Sequence, residues 1–380
     1  MYIRRQTFKD SGKEPVFFWG ARQTGKSTLL KSLFHDSLWF DLLLSDVYER
    51  LQRDPAVLRQ TVLGVKTDKP IIIDEIQRIP GLLNEVHWLI TNHDTRFVMC
   101  GSSPRKILRS QANLLGGRAL RYEMFPLIYK EIPDFNLSRA LNHGLLPRHY
   151  ISKNPEKLIS AYIGSYLQDE IQAEARIRNI GSFSRFLEVA AFSNGEIVNY
   201  SNIASECGVS SPTIKEYFQI LVDTLTGYFV PAFQKRPKRR VILSPKFYYF
   251  DVGLANYLLK RKSIVPGSEA FGKAFEHYIF HEILTHSSYS GINYPIHYWR
   301  TASRIEIDFV LGDHEIAIEV KSTKFANQRH LKGLKSFMEE YRVKKAILIS
   351  NDPLPQQIGN ITVLPWKIFL DKLWDGDVIK

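Results

Sequence analysis

The sequence predicts an α/β fold whose N-terminal part is a parallel, doubly wound sheet. Three observations carry this. Val16-Phe17-Phe18-Trp19, Ile71-Ile72-Ile73 and Phe97-Val98-Met99-Cys100 are short continuous apolar runs, the pattern of strands buried on both faces. Helix-spaced apolar residues separate them, among them Leu29, Leu30, Leu33 and Phe34, then Leu82, Val86, Leu89 and Ile90. The runs end in glycine, acids or small polar residues, at the strand ends where open α/β sheets place their ligands.

The first run leads into Gly20-Ala21-Arg22-Gln23-Thr24-Gly25-Lys26-Ser27, and a helix is expected from Thr28 onward. This is G-x-x-x-x-G-K-S between a strand and a helix. Gly20 and Gly25 permit backbone angles that let successive N–H groups converge on an anion. The helix N-terminus adds partial positive charge. Lys26 would reach the β- and γ-phosphates and the Ser27 hydroxyl would ligate magnesium, with Thr24 and Thr28 completing the nucleotide-binding set. The plainer alternative is a glycine-containing surface turn. The flanking strand and helix favour the phosphate loop.

The isoleucine run, about fifty residues further on, ends in Asp74 and Glu75. Asp74 would hold magnesium and Glu75 would polarise the attacking water; two solvated acids closing a strand are the alternative. The third strand, expected from Arg96, exits through Gly101-Ser102-Ser103. One of the two serines would bond the water or the γ-phosphate, unless the stretch is a simple turn. Arg118 follows Gly116-Gly117, so its guanidinium is either offered to a phosphate or solvated.

With 380 residues the chain has room for two or three domains, and 44% apolar with 24% charged residues describes an ordinary soluble protein. No apolar run approaches the ~18–20 residues of a membrane span. The start, Met1 to Gln6, lacks the apolar segment of a secretory signal, and Cys100 and Cys207 have neither disulfide nor zinc spacing. The expectation is a cytoplasmic protein with no membrane partner. A net charge of +12 favours polyanions where it is focused.

Residues 136–190 read as helices, with Leu158, Tyr162, Tyr166, Leu167 and Ile171 at helical spacing and a loop from Asn142 to Pro147. Next, Ile203, Val209, Ile214, Phe218 and Leu221 make a small core around Gly208, which suits a tight turn between two helices. Ser210 or Ser211 would cap the second helix and Pro212 fits its first turn. That helix, from about Pro212 to Asp223, would offer Thr213 and Lys215 to a groove. A hairpin is expected from Tyr228–Phe233 and Val241–Leu243, its tip carrying Lys235, Arg236, Lys238, Arg239 and Arg240. Five basic residues there suit a phosphate backbone; a solvated tip or a protein-packing module are the alternatives. The aromatic stretch Lys246 to Phe250 suggests an interdomain core.

After a linker at residues 260–268, Glu306–Leu311 and Glu315–Lys321 alternate like two strands of a hairpin, joined at Gly312-Asp313 by a two-residue turn. Period two puts Glu319 and Lys321 on one face, and pairing brings Asp308 to it. Glu276 lies on an upstream helix. These carboxylates would bind Mg²⁺, with Lys321 orienting or deprotonating water. Ala346–Ser350 reads as a further strand and Trp366–Trp374 as a closing helix.

Residues 1 to about 135 resemble AAA-type P-loop ATPases, on IIIDEIQRIP, C-G-S-S and G-G-R-x-x-R-x-E-x-x-P-L. More narrowly, the chain is similar to a prokaryotic family that joins such an ATPase to a restriction-endonuclease-like domain. The resemblance implies ATP and Mg²⁺ as cofactors, contacts from Gly25, Lys26, Ser27 and Asp74, and Glu75 as catalytic carboxylate. Ser102 and Ser103 depart from the asparagine usual at the γ-phosphate. The paired helices resemble a winged-helix (helix-turn-helix) module, which implies DNA. D-x(10)-E-x-K resembles the PD-(D/E)XK nucleases, assigning Glu276, Asp308 and Glu319 to metal and Lys321 to water. The expected architecture is therefore a P-loop NTPase domain (1–135), a helical extension with winged helix (136–260) and a nuclease-like α/β domain (261–380). The expected function is Mg-dependent ATP hydrolysis with DNA binding and metal-dependent DNA cleavage; the alternative is a nucleotide-gated scaffold with an inactive nuclease-like fold. Assembly into a homo-oligomer, with Arg118 acting in cis or in trans, is left open.

Overall fold

The computed structural model describes residues 2–8, 11–65, 67–109, 115–164, 180–235 and 243–380. Five parallel strands form the N-terminal sheet in the order β2-β3-β4-β1-β5, with β1 Val16–Trp19, β2 Trp39–Asp41, β3 Ile71–Asp74, β4 Phe97–Gly101 and β5 Leu120–Glu123. Alternate residues of β1, β3 and β4 enter two separate cores. Phe17, Trp19, Ile71, Ile73, Phe97 and Met99 face one side; Val16, Phe18, Ile72, Val98 and Cys100 face the other. Burial on both faces is why these strands read as unbroken apolar runs. Helix α1, Lys26–Leu33, begins two residues before the expected Thr28 because Gly25, at φ 98, already ends the loop. Similarly, β4 starts at Phe97 rather than Arg96.

In the middle region the described helices include Leu137–His143, Pro147–Ile151, Pro155–Ala161 and Ile180–Phe192. The expected 142–147 loop contracts to three residues, since the first helix runs through His143 and Pro147 opens the next. Tyr166, Leu167 and Ile171 lie outside the described residues. Helices Tyr200–Cys207 and Ser211–Asp223 meet at Gly208, whose φ of 65 permits the tight turn. Ser210 caps the second, accepting from Thr213 N at 3.3 Å.

The expected hairpin differs. β6, Gly227–Val230, pairs antiparallel with β7, Lys246–Tyr249. Beyond β6 the chain leaves for the C-terminal unit: Ala232 bridges Tyr298 and Phe233 packs on Phe337 and Tyr341. Leu243 is exposed, and Val241 and Ile242 lie outside the described residues. The aromatic stretch is interior, as its density suggested, with Phe247, Tyr248 and Tyr249 fully buried.

The C-terminal unit is a mixed six-stranded sheet in the order β12-β13-β11-β10-β9-β8. Its strands are β8 Ile296–Arg300, β9 Glu306–Leu311, β10 Ile316–Val320, β11 Lys345–Ser350, β12 Gln356–Ile358 and β13 Ile361–Pro365. Helices Glu269–Tyr289 and Trp366–Trp374 cover one face through Phe275, Ile279, Phe369 and Leu370. Helix Lys332–Glu340 covers the other through Leu334 and Phe337. The β9–β10 turn holds four residues, not two, with Gly312 and His314 in left-handed conformation at φ 65 and 61. No helix among the described residues is long and apolar enough to cross a membrane.

The units interlock through the long helix Glu269–Tyr289. His281 Nε2 lies 3.0 Å from Leu127 O and Tyr129 N donates to Glu282 Oε1 at 2.7 Å. Asp251 caps Leu254 N and accepts from Leu145 N at 2.6 Å. A Cβ on Gly144 would meet its carboxylate at 2.2 Å, so the pair locks two helical layers together.

Glu282 gives a pH prediction. Burial pushes its carboxyl up to about 7, against donation from Tyr129 N, Trp374 Nε1 and Tyr278 OH. The folded state therefore binds a proton that the unfolded chain releases near pH 4.5. That stability is fully present below the unfolded value and is lost as pH rises to 7, by about 3 kcal/mol. Glu282→Gln is expected to flatten the fall in Tm between pH 5 and 8 relative to the parent, whatever its absolute Tm; an unchanged slope refutes the assignment.

Candidate functional site

The nucleotide-type site sits at the carboxyl ends of β1 and β3. Gln23 and Gly25 adopt left-handed backbone at φ 63 and 98, turning the loop on itself. A Cβ on Gly20 would come within 2.5 Å of Met124 O, so the loop's first glycine is set by the close approach of the segment after β5. Thr24 Oγ1 donates to Ala21 O at 2.8 Å. Lys26 Nζ donates to Gly20 O at 2.6 Å and Ala21 O at 3.1 Å, and burial pulls its pKa down against the nearby Glu75 and Asp74 charges. Thr28 faces solvent on α1.

Ser27 Oγ donates to Asp74 Oδ2 at 2.7 Å, so a hydroxyl from the loop and a carboxylate from β3 meet across the site. These are hard oxygen donors, the set a magnesium ion takes, and the site fits that ion. Cys100 Sγ holds the other oxygen, Asp74 Oδ1, at 2.8 Å. Glu75 lies just past the strand in left-handed conformation at φ 60, a strained arrangement of the kind that collects at functional sites. Gln77 Nε2 donates both to Glu75 Oε2 and, at 3.1 Å, to Ser102 Oγ. A Cβ on Gly101 would strike Gln77 Oε1 and the Trp19 ring, so a side chain here would displace the Gln77 amide. Of the two serines, Ser102 accepts from Gln77, while Ser103 Oγ turns to Asp223 O at 3.4 Å.

Arg118 is placed elsewhere. Its Nη1 donates to Thr91 Oγ1 at 2.7 Å and lies 3.3 Å from His87 Nε2, exposed on helix Leu82–His93. Arg105, which the sequence did not single out, is buried and paired through Nη1 with Asp223 Oδ2. Asp223 is the last residue of the second helix of the pair.

On that helix Lys215 is exposed above the Tyr200 ring at 5.4 Å. Thr213 Oγ1 bonds Ser210 Oγ at 2.9 Å inside the helix cap. A cleft of about 640 Å³ opens beside them, lined by Tyr200, Ser201, Ser211, Lys215, Ser244 and Arg300, with no carboxylate among its described lining. Lys235 pairs with Asp313 in the β9–β10 turn. Arg236, Lys238, Arg239 and Arg240 lie outside the described residues.

In the C-terminal unit, Asp308 and Glu319 come together across the β9–β10 hairpin, Asp308 Oδ2 accepting from Val320 N at 2.8 Å. Lys321 Nζ lies 2.5 Å from Glu319 Oε1 and 4.0 Å from Asp308 Oδ2. Burial, then the Asp308 charge, pushes Glu319 up to about 8. Glu276 also reaches the group, but through an unforeseen cation. Lys246 Nζ lies 2.5 Å from Glu306 Oε1, 3.3 Å from Glu276 Oε1 and 3.9 Å from Asp308 Oδ1. Although burial lowers its pKa, Glu276, Tyr248, Asp308 and Glu306 outweigh this and hold it charged. Among the described residues no three His, Cys, Asp or Glu side chains are disposed to hold a metal ion. With an ammonium seated between Glu276 and Asp308, the carboxylates do not fit a metal as arranged.

Residues 12–133 match the family model described as an AAA domain. The comparisons thus support an AAA-type P-loop ATPase at the N-terminus. Residues 134–264 and 271–369 match two models described as domains of unknown function, DUF8612 and DUF4143. An uncharacterized protein of Mycobacterium tuberculosis is 26% identical over 321 residues, 81% of this chain and 70% of the relative. One from Haemophilus influenzae is 23% identical over 77% of this chain and 75% of its own. One from Methanocaldococcus jannaschii is 22% identical over 94% and 85%. The solved structure of the Aeropyrum pernix ORC1 protein in complex with DNA aligns with 65% of this chain and 86% of its own at 12% identity. Its TM-score of 0.25 is too low to establish a shared fold.

Proposed function

We propose that the AAA domain is a magnesium-dependent ATPase whose nucleotide state is passed to the paired helices, which bind DNA. The observation that carries the reading is the Ser27–Asp74 contact at 2.7 Å, made beside a left-handed glycine loop and a buried lysine. Lys26 exchanges loop carbonyls for phosphate oxygens, and the loop N–H groups hold the remaining charge. Ser27 and Asp74 would hold magnesium, which supplies charge neutralisation on the phosphates when bound. Glu75 takes the proton side of the attacking water, oriented by the Gln77 amide that Ser102 shares. The exposed Lys215 and the cleft, with no carboxylate among its described lining, support a phosphate backbone along the helix pair.

A second reading concerns the C-terminal unit. Lys246 favours a nuclease-like fold used for binding, because its ammonium already neutralises carboxylates that cleavage would require for metal.

Calorimetric titration of the parent with ATP and Mg²⁺ tests the first reading. Lys26→Ala is expected to weaken binding roughly 10–100-fold, the loss of a charge-assisted contact. Heat of association equal in parent and variant, or absent from the folded parent, overturns it.

A further inference from the structure

We propose that Lys246 is the resident cation of the C-terminal carboxylate cluster, and that the docked ammonium and a divalent metal ion exclude one another. This rests on reading Glu276, Asp308, Glu319 and Lys321 as a metal-type constellation. It is independent of the nucleotide site.

Lys246 is supplied by one unit and used by another. Its strand, β7, is held on one side by β6, where Val230 pairs with Lys246. On the other side it is held by the segment before the helix pair, where Ile197 bridges Lys246 and Gly195 N donates to Phe247 O at 2.7 Å. Both anchors belong to the middle unit. The side chain nonetheless ends among Glu276, Glu306 and Asp308 of the C-terminal unit, only 3% exposed. Period two puts Tyr248 on the same face of β7, and its hydroxyl donates to Glu276 Oε1 at 2.6 Å. The Tyr298 ring, with its centroid 5.6 Å from Nζ, closes another side.

The charges explain the exclusion. Four carboxylates, Glu276, Glu306, Asp308 and Glu319, face three cations, Lys246, Lys321 and Arg300. With every carboxyl ionised, the state in which carboxylates ligate a metal, one negative charge is left over. A divalent ion entering beside Lys246 would invert that to a positive excess in a buried site, at distances where repulsion is poorly screened. Without Lys246 the cluster carries two excess negative charges, which a divalent ion matches. Removal of the Lys246 ammonium would therefore open a divalent-cation site. Since β6 starts at Gly227, just past the helix that ends at Asp223, the strand paired with β7 continues directly from the helix pair.

The experiment is a Mn²⁺ titration of the full, nucleotide-free chain, read by the EPR signal of the free ion. The parent is expected to show no site that Asp308→Asn removes. Lys246→Met is expected to gain one such site per chain, lost again when Asp308→Asn is added. Should the methionine variant lose its cooperative thermal transition, Lys246→Gln, of similar reach and polar, takes its place with the same expected gain. Equal Asp308-dependent binding by parent and Lys246 variants overturns the exclusion, with the metal-type reading intact. Folded Lys246 variants that bind no Mn²⁺ overturn the metal-type reading and the proposal with it.

Discussion

Glu75→Gln is expected to leave ATP bound and to slow its hydrolysis by about 10²–10⁴-fold, the range for removing a general base. The amide keeps the size and the left-handed backbone that Glu75 already tolerates at φ 60. It cannot take a proton from water, and it meets the Gln77 amide with one acceptor oxygen fewer. Because Lys26, Ser27 and Asp74 are untouched, affinity should stay near the parent's. Single-turnover hydrolysis with labelled ATP, alongside calorimetric affinity, separates the two effects. Tight binding with undiminished turnover would remove Glu75 from the chemistry and leave Asp74 to explain any hydrolysis alone.

The P-loop site was legible because its parts are local or lie at strand ends. Ile71–Ile73 could only be a strand buried on both faces, and the acids that follow had to emerge at its carboxyl end. The Asp308–Glu319 pairing was legible for a related reason: period two and a hairpin suffice to bring them together. The turn length was not, since left-handed His314 gives no compositional signal. What escaped are charges whose partners are far along the chain. Arg105 meets Asp223 and Lys246 meets Glu306, and a lone basic residue after a turn or a proline reads as solvated. The apolar run Val241–Leu243 reads as the second hairpin strand, whereas the structure pairs β6 with Lys246–Tyr249; Val241 and Ile242 lie outside the described residues.

Breaking the Arg105–Asp223 pair is expected to uncouple the helix pair from the nucleotide. Glu75, Gln77 and Ser102 form one hydrogen-bonded row at the site. Ser103, the next residue, donates to Asp223 O at 3.4 Å, and its Oγ accepts from Arg105 N at 3.2 Å. Arg105 then grips Asp223 Oδ2, while Leu225 two residues on is buried in the AAA core. A carboxylate at a helix C-terminus opposes the helix dipole, so Asp223 is stable there because Arg105 offsets it. Nucleotide-dependent movement of the Ser102–Ser103 turn would therefore reach the helix that carries Lys215 through this contact. In a Glu75→Gln background, which holds ATP, the nucleotide should change DNA affinity by about 5–150-fold, the usual size of such coupling. Asp223→Asn keeps the shape, lowers the charge and should bring that ratio towards one with ATP affinity unchanged. Fluorescence anisotropy of labelled duplex DNA with and without ATP measures it. A ratio that survives Asp223→Asn places the coupling outside this contact, and a parent that binds no DNA in either state removes the helix pair as a DNA-binding element.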